Sequence, residues 1–448
     1  MSIKSVPKKG YKSVPWLFGK EIEIPEEWEF NKLHKFVSIQ SGEYFHFNEF
    51  SEEGIPVLKI DNVMHGKVNW ETKTFLNKKY LDSHKEILLN EGDILLALNR
   101  PVTHNQVKVA RLKSGDIPSI LYQRVGRFVF KNNYVRTDFF YSFLNSYFFK
   151  DILSRILIGS DQPYVRTTEL LTKRIPVPPL HEQQKIASIL SNVDNLIQNT
   201  DKLIEKTTRL KKGLMQELLV KGIGHTKFKK IILLPKHIVI TIPEEWKPEI
   251  IKNVLIEKIQ NGINIKLENY GTGFPIFEIE SLYKSDLIIE QSNLRLVSIE
   301  NIKNHEQYKL KENDFVLNRV SKVKEGVGKC LLIKNPIENL LYEGNMIRIR
   351  IDQNCIYPMF LAFQTKSTLF FNYIQSTCKT TSLTSIDQGI IEKIPIPLPP
   401  LPEQQKIASI LSNTDEKIQS YKRYKEKLQR LKKSLMQKLL TGEVRVAV

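Results

Sequence analysis

Asp161-Gln-Pro-Tyr164 brings together residue types that can hold a flipped nucleobase. Transfer of a group from a cofactor to such a base needs, in addition, a cofactor loop such as a glycine-rich turn following a strand. The nearest candidate, Gly271-Thr-Gly273 ahead of Phe274-Pro-Ile276, is a lone GxG and reads as a turn entering a strand. Gly328-Lys329 runs into Cys330, with Val323 where a phosphate-binding loop has its first glycine. The nine histidines show no HExxH or other metal-ligand spacing, and no carboxylate pair stands out as acid and base. The residues argue against catalysis in this chain. What remains is contact chemistry: Arg, Lys, Asn and Gln beside short strands can reach base edges and phosphates.

The elements that position these groups are announced by a repeat. Glu182–Asn192 reads EQQKIASILSN, and the same eleven residues return 221 positions later as Glu403–Asn413. Each copy follows a proline-rich step, Ile175-Pro-Val-Pro-Pro-Leu180 or Ile396-Pro-Leu-Pro-Pro-Leu401, and runs on to RLKKGLMQELL (Arg209–Leu219) or RLKKSLMQKLL (Arg430–Leu440). Ile24-Pro-Glu-Glu-Trp28 returns as Ile242-Pro-Glu-Glu-Trp246, and Glu91-Gly-Asp-Ile-Leu95 as Glu312-Asn-Asp-Phe-Val316. Asn99-Arg100 has a counterpart in Asn318-Arg319. The order is globule, helix, globule, helix, a duplication that states architecture. The boundaries are a first globule over 1–178, a first long helix over 179–222, a second globule over 223–399, and a second long helix with its tail over 400–448.

The fold class expected is α+β: two mixed α/β globules separated by two long helices that pair as an antiparallel coiled coil, in a pseudo-twofold repeat. Ile55–Ile60, Val107–Leu112, Arg124–Phe130 and Met346–Ile351 read as strands. Asp138–Ile158 and Met359–Gln375 read as helices, and the aromatics Phe139, Phe140, Phe143, Tyr147 and Phe148 are expected in the core rather than stacked on bases.

In the first long helix Ile189, Val193, Leu196, Thr200, Leu203, Thr207, Leu210 and Leu214 recur by four and three. In the second, Ile410, Thr414, Lys417, Tyr421, Tyr424, Leu428, Leu431 and Leu435 do so. That spacing predicts a coiled-coil seam. A side row, Ile186, Leu190, Ile197 and Ile204, makes the first helix apolar over more than one stripe, so a further helical partner is implied. Pro179 and Pro402 at the starts and Gly222 and Gly442 past the ends punctuate both helices.

The chain has 448 residues, room for two or three domains. Its net charge of +18 favours a polyanionic partner, although a soluble protein with lysine-rich solvated faces fits that charge equally. Cys330, Cys355 and Cys378 form neither a disulfide framework nor a zinc site, which fits a reducing cytoplasm. No apolar run approaches the ~20 residues of a membrane helix. The basic start has no apolar signal core, so no secretion is expected.

Two unlike globules, each introduced by IPEEW and closed by a PxPPLxEQQKIA…RLKK…L helix, resemble the specificity subunit of type I restriction–modification systems over essentially the whole chain. The resemblance implies that the globules are target-recognition domains, each reading one half of a split target in double-stranded DNA. It implies that the helices act as a spacer and dock onto two modification subunits, which transfer a methyl group from S-adenosylmethionine to adenine. Two restriction subunits would add ATP- and Mg-dependent translocation and cleavage. This chain itself would bind no cofactor, membrane or metal. Asp161–Tyr164 is similar to the Asp-Pro-Pro-Tyr motif of adenine methyltransferases, with Gln162 for the first proline; without a cofactor loop we read the match as accidental. A stand-alone methyltransferase and a coiled-coil adaptor that never reads DNA are the competing functions.

For DNA contact, side-chain type nominates Asn99, Arg100, Gln106, Lys108, Gln123, Arg124 and Arg166 in the first globule. In the second it nominates Asn318, Arg319, Lys322, Lys324, Lys329 and Lys379. Solvated or ion-paired surface is the competing role for each. Gln183, Gln184, Ile186, Gln404, Gln405 and Ile407, repeated at both helix starts, are assigned to the subunit interface.

Overall fold

The structure is a computed structural model that describes residues 8–16, 21–233, 238–299, 305–380 and 383–446. The chain divides into two units: Met1–Asp201 with Arg423–Val448, and Lys202–Lys422. Each unit contains one globule together with a stretch of each long helix.

In the first unit Ile94–Ala97, an all-apolar run, is buried along its whole length and sits inside a four-stranded antiparallel sheet. Its neighbours are Val109–Arg111 and Val125–Phe130, and Val37–Ser41 completes the order. A second, five-stranded sheet contains one parallel pair, Ile55–Leu58 with Ser119–Leu121. The second unit repeats this plan. Phe315–Asn318 is its buried central strand, flanked by Cys330–Leu332 and Met346–Ile349, with Gln260–Asn261 at the edge. Its smaller sheet again has one parallel pair, Tyr270–Phe277 with Leu341–Tyr342.

The duplicated acidic turn before each central strand has a structural reason. Asp93 and Asp314 accept the main-chain N–H three residues back, from Asn90 at 2.9 Å and from Lys311 at 2.7 Å. Each also holds an arginine, Arg127 of the neighbouring strand at 3.2 Å and Arg350, just past the end of the neighbouring strand, at 2.6 Å. Asp314 is 1% exposed and takes both Nε and Nη2 of Arg350. Asp314→Asn keeps the turn bond but loses the charge pairing; we expect a loss of about 1–3 kcal/mol in urea unfolding.

The helical segment before each proline step is two helices rather than one. Thr137–Leu144 and Tyr147–Ile156 are separated by Ser146, whose hydroxyl accepts from the Phe149 N–H. Pro358–Gln364 and Thr368–Thr377 are separated in the same way, with Ser367 capping Phe370. A serine cap supplies the acceptor that lets a new helix start at once. Phe139, Phe140 and Phe143 are fully buried in the core of the first unit, while Tyr147 is exposed beneath Lys433.

The long helices run Leu180–Lys221 and Leu401–Thr441. Their inward stripe differs from the expected seam. On the first helix the positions turned inward are Ile186, Leu190, Val193, Ile197, Thr200, Ile204, Thr207, Lys211, Leu214 and Leu218. On the second they are Ile407, Leu411, Thr414, Ile418, Tyr421, Lys425, Leu428, Lys432, Leu435 and Leu439. The four-three alternation holds, but every other expected position is one residue out of phase. Leu196, Leu203, Leu210, Tyr424 and Leu431 are 44–57% exposed, and Ile197, Ile204, Lys211, Lys425 and Lys432 take their places. Within the first unit Lys432 pairs with Asp194 and Lys425 with Asp201, both at 2.6 Å. Within the second, Lys211 pairs with Asp415 at 2.5 Å. Among the described residues no helix is long and apolar enough to cross a membrane.

Candidate nucleic-acid interface

The repeated motifs meet in one knot per unit. In the first, the Trp28 indole N–H donates to Glu182 at 3.3 Å, and both side chains are fully buried. Arg445 covers the same carboxylate, its Nε 2.9 Å from Oε2 and its Nη2 on Oε1, and reaches Glu27 at 2.8 Å. Tyr11 donates to the Gly442 carbonyl at 2.8 Å. In the second, Trp246 donates to Glu403 at 3.0 Å, and that carboxylate also accepts from the Ile223 N–H and lies 2.8 Å from His225 Nε2. The glycine ending each helix turns left-handed against the tryptophan: a Cβ on Gly222 would lie 2.7 Å from Trp246, and one on Gly442 2.3 Å from Pro25. Only glycine accepts both the dihedral and the approach.

The glutamines beside these carboxylates are clamps, which corrects their assignment to a subunit interface. Gln183 donates to the carbonyls of Tyr134 and Pro178 and accepts from the Arg136 N–H. Gln404 donates to Cys355 and Pro399 and accepts from Tyr357. Both are fully buried, as are Ile186 and Ile407, which pack in the cores of their own units. Buried groups already satisfied inside the chain offer a partner nothing. Gln184 and Gln405 are exposed.

Four of the nominated DNA contacts in the first globule come together. Leu98 donates to the Arg124 carbonyl at 2.8 Å and accepts from Val165 at 2.9 Å, so Asn99, Arg100, Arg124 and Arg166 extend from adjoining turns. Arg100 and Arg124 are exposed and hold φ of 46° and 65°, a conformation costly for a side chain with a Cβ. Gln106 is exposed on the neighbouring two-residue strand and Gln123 is half-buried. Lys108 is a correction: it is 8% exposed, and its Nζ donates to the Ile60 carbonyl at 2.8 Å. Burial holds its ammonium below the ordinary lysine range. Asp161 and Gln162 are exposed on the turn between Leu157–Ile158 and Tyr164–Val165, an antiparallel ladder.

In the second globule Asn318 is also a correction. It is fully buried, and its amide is consumed by Gly326, Tyr283 and the Val320 N–H. Arg319 is half-buried, with its Nε enclosed. The apparent match of Asn99-Arg100 to Asn318-Arg319 does not hold. Val125 pairs with Ala97, and Met346 pairs with Asn318 in the same place, so Asn318-Arg319 corresponds to Ala97-Leu98. The true counterparts of Asn99-Arg100 are Val320-Ser321. Lys329 is the equivalent of Lys108: each donor strand faces the same position, and Lys329 Nζ reaches the Tyr283 carbonyl at 3.3 Å. Lys322 and Lys324 are exposed, and Lys379 is exposed beside Asp387 at 3.3 Å.

The profile of the type I restriction modification DNA specificity domain matches residues 25–209 and again 243–430. The chain is 49% identical over 201 residues to the type I restriction enzyme MjaVIII specificity subunit of Methanocaldococcus jannaschii, a match spanning 45% of this chain and 47% of that relative's length. It is 26% identical over 443 residues to the MjaX putative specificity subunit of the same organism, covering 95% of both. A chain solved in work on complex assembly and conformational transition of the type I R-M system superposes with a TM-score of 0.57 at 16% identity, covering 94% of this chain and 99% of that one. The S subunit of the M. genitalium type I restriction-modification system gives 0.53 at 14%, over 92% and 96%. With two matched copies spanning most of its length, this chain belongs to the type I restriction modification DNA specificity domain family.

Proposed function

We propose that this chain is the specificity subunit of a type I restriction–modification complex, reading an asymmetric, interrupted target in double-stranded DNA with one half-site per globule. The observation that carries this reading is a pair of globules with one strand plan and different exposed side chains. A shared scaffold gives both the same approach to the groove, and unlike donors and acceptors give each a different base sequence. In the first globule Asn99, Arg100, Gln106, Gln123, Arg124 and Arg166 are the proposed contacts; in the second they are Arg319, Lys322, Lys324 and Lys379.

The two long helices pair as an antiparallel coiled coil in this reading. Its support is the alternating inward stripe on each helix and the ion pairs Lys432–Asp194, Lys425–Asp201 and Lys211–Asp415. A helix of 42 residues is about 63 Å long, enough to separate half-sites by a turn of duplex or somewhat more, at about 34 Å per turn. Two modification subunits dock on the solvent-facing part of the identical runs, Gln184, Lys185, Ser188 and Asn192 in one and Gln405, Lys406, Ser409 and Asn413 in the other. These positions are exposed in both copies, so packing within the chain does not account for their identity. The modification subunits bring S-adenosylmethionine, two restriction subunits bring ATP and Mg, and this chain supplies no catalytic group.

Inserting one heptad into each long helix at matched positions lengthens the spacer by about 10 Å, roughly three base pairs of duplex at 3.4 Å each. The expected result is methylation of sites whose spacer has grown, or loss of methylation, when the complex is mapped by long-read detection of modified adenine. An unchanged spacer would overturn the ruler. Methyl transfer by the isolated chain would instead favour a stand-alone methyltransferase, and binding indifferent to DNA sequence with partners present would favour an adaptor.

A further inference from the structure

The two globules push an apolar side chain into solvent at the same place. Phe47 is 91% exposed and Leu267 is 83% exposed. The residues are structural equivalents. Gly42 and Gly262 each lie hard against a neighbouring backbone, with a Cβ reaching 2.0 Å from the Leu121 carbonyl oxygen or 2.2 Å from that of Glu343. The next residues form matching parallel bridges, Glu43 with Tyr122 and Ile263 with Glu343. Four residues further on, Phe47–Glu49 and Leu267–Asn269 each make one turn of 3-10 helix, and Phe47 and Leu267 open those turns.

Both turns are held firmly from behind. Two residues earlier, Phe45 is buried and Ile265 is half-buried. Three residues later, Phe50 carries Lys59 over its ring at 4.5 Å, and Tyr270 carries Arg295 at 4.3 Å while donating to Glu278 at 3.0 Å. In the first turn Glu49 accepts from the His46 N–H at 2.6 Å and from Tyr80 at 2.7 Å. A floppy loop would let the apolar group fold back; an anchored turn keeps it presented.

We propose that Phe47 and Leu267 are equivalent base-contacting residues, one per globule, that insert their apolar side chains against the bases of the half-site each globule reads. The inference rests on the DNA-reading function above. Polar groups suited to bases and phosphates flank the chain that leads into each turn. In the first unit the Gln123 main-chain N–H donates to the Glu43 carbonyl at 3.0 Å, four residues before Phe47, and His46 and Asn48 on either side of Phe47 are exposed. In the second, Lys266 is exposed beside Leu267, and Asn264 abuts the Gly344 turn next to Asn345. Apolar side chains contact thymine methyls or wedge between base steps when arginine and amide neighbours fix the approach. A surface serving one protein partner twice would carry the same residue twice, as the exposed face of EQQKIASILSN does. These tips differ, aromatic in one and aliphatic in the other, as two unlike half-sites require.

The test uses the full chain assembled with its modification subunits, a duplex carrying the mapped target, and a length-matched unrelated duplex. Phe47→Ala is expected to weaken target binding roughly 10- to 100-fold. Melting temperature, affinity for the unrelated duplex and the salt slope should stay unchanged, because no phosphate contact is touched. Phe47→Leu should restore most of the affinity. On a duplex whose first half-site is scrambled, parent and Phe47→Ala should bind alike, and Leu267→Ala should show the same pattern for the other half-site. Equal target affinity of parent and both alanine variants, with parental site preference intact, would overturn this proposal and leave the DNA-reading function standing. A parent with no preference for the target would remove both.

Discussion

Trp28→Ala and Trp246→Ala are each expected to lower folding stability by about 3–5 kcal/mol, read as a fall in the urea midpoint at unchanged m. Both indoles are fully buried, and each fills the junction where a helix start, a helix end and the globule's first turn meet. Truncation opens a cavity at that junction and strips a donor from a carboxylate, the buried Glu182 or the half-buried Glu403. The two costs share one site and do not add freely. Trp70, half-buried and bonded to Asp116 at 2.9 Å, serves as the control and should cost less. A loss under about 1 kcal/mol at either knot would mean that the junction carries no packing energy, contrary to its burial.

Gln183→Leu and Gln404→Leu test the second knot component and should cost about 3–6 kcal/mol each. Leucine matches glutamine closely in volume, so no cavity forms. What is lost is the pairing of three main-chain groups: the Arg136 N–H and the Tyr134 and Pro178 carbonyls in one copy, and the Tyr357 N–H and the Cys355 and Pro399 carbonyls in the other. Three orphaned groups at about 1–3 kcal/mol each would sum to about 3–9 kcal/mol; only the bonds to Pro178 and Pro399 are fully buried, so the lower part of that span is expected. Gln184→Leu and Gln405→Leu, one residue along and exposed, should stay within about 0.5 kcal/mol of the parent. Full stability of Gln183→Leu combined with failed assembly would return that glutamine to the subunit interface.

Much of the architecture was legible because it was written twice. The repeat displaced by 221 residues, the proline steps and the terminal glycines marked two globules and two long helices, and the helices run Leu180–Lys221 and Leu401–Thr441. The four-three alternation was legible too, but its phase was not. Ile189, Leu196, Leu203 and Leu210 make as good an apolar row as Ile186, Leu190, Ile197 and Ile204. Two rows adjacent on a helix differ only in what lies opposite them, and that is a property of the folded chain.

The match of Asn99-Arg100 to Asn318-Arg319 failed for a related reason. It is a slip of two residues, and a two-residue slip returns every side chain to the same face of the sheet. Apolar alternation cannot detect it; only the pairing of Ala97 with Val125 and of Asn318 with Met346 can. Phe47 and Leu267 escaped notice because an apolar residue inside a mixed loop reads as ordinary core filling, and only the fold reveals that it points outward.

The sequence by itself determined the duplication, the alternation of globule and long helix, and the limits of the long helices, because these follow from local spacing, from proline and glycine, and from periodicity along a single segment. Tertiary structure alone decided why the Glu and the first Gln of EQQ are the same in both copies, which helical row turns inward and which polar residues stay free. Glu182 finds Trp28 across 154 residues and Gln183 finds Tyr134 across 49. Whether a side chain is spent on its own backbone or left for DNA depends on such distant neighbours, and no local pattern encodes them.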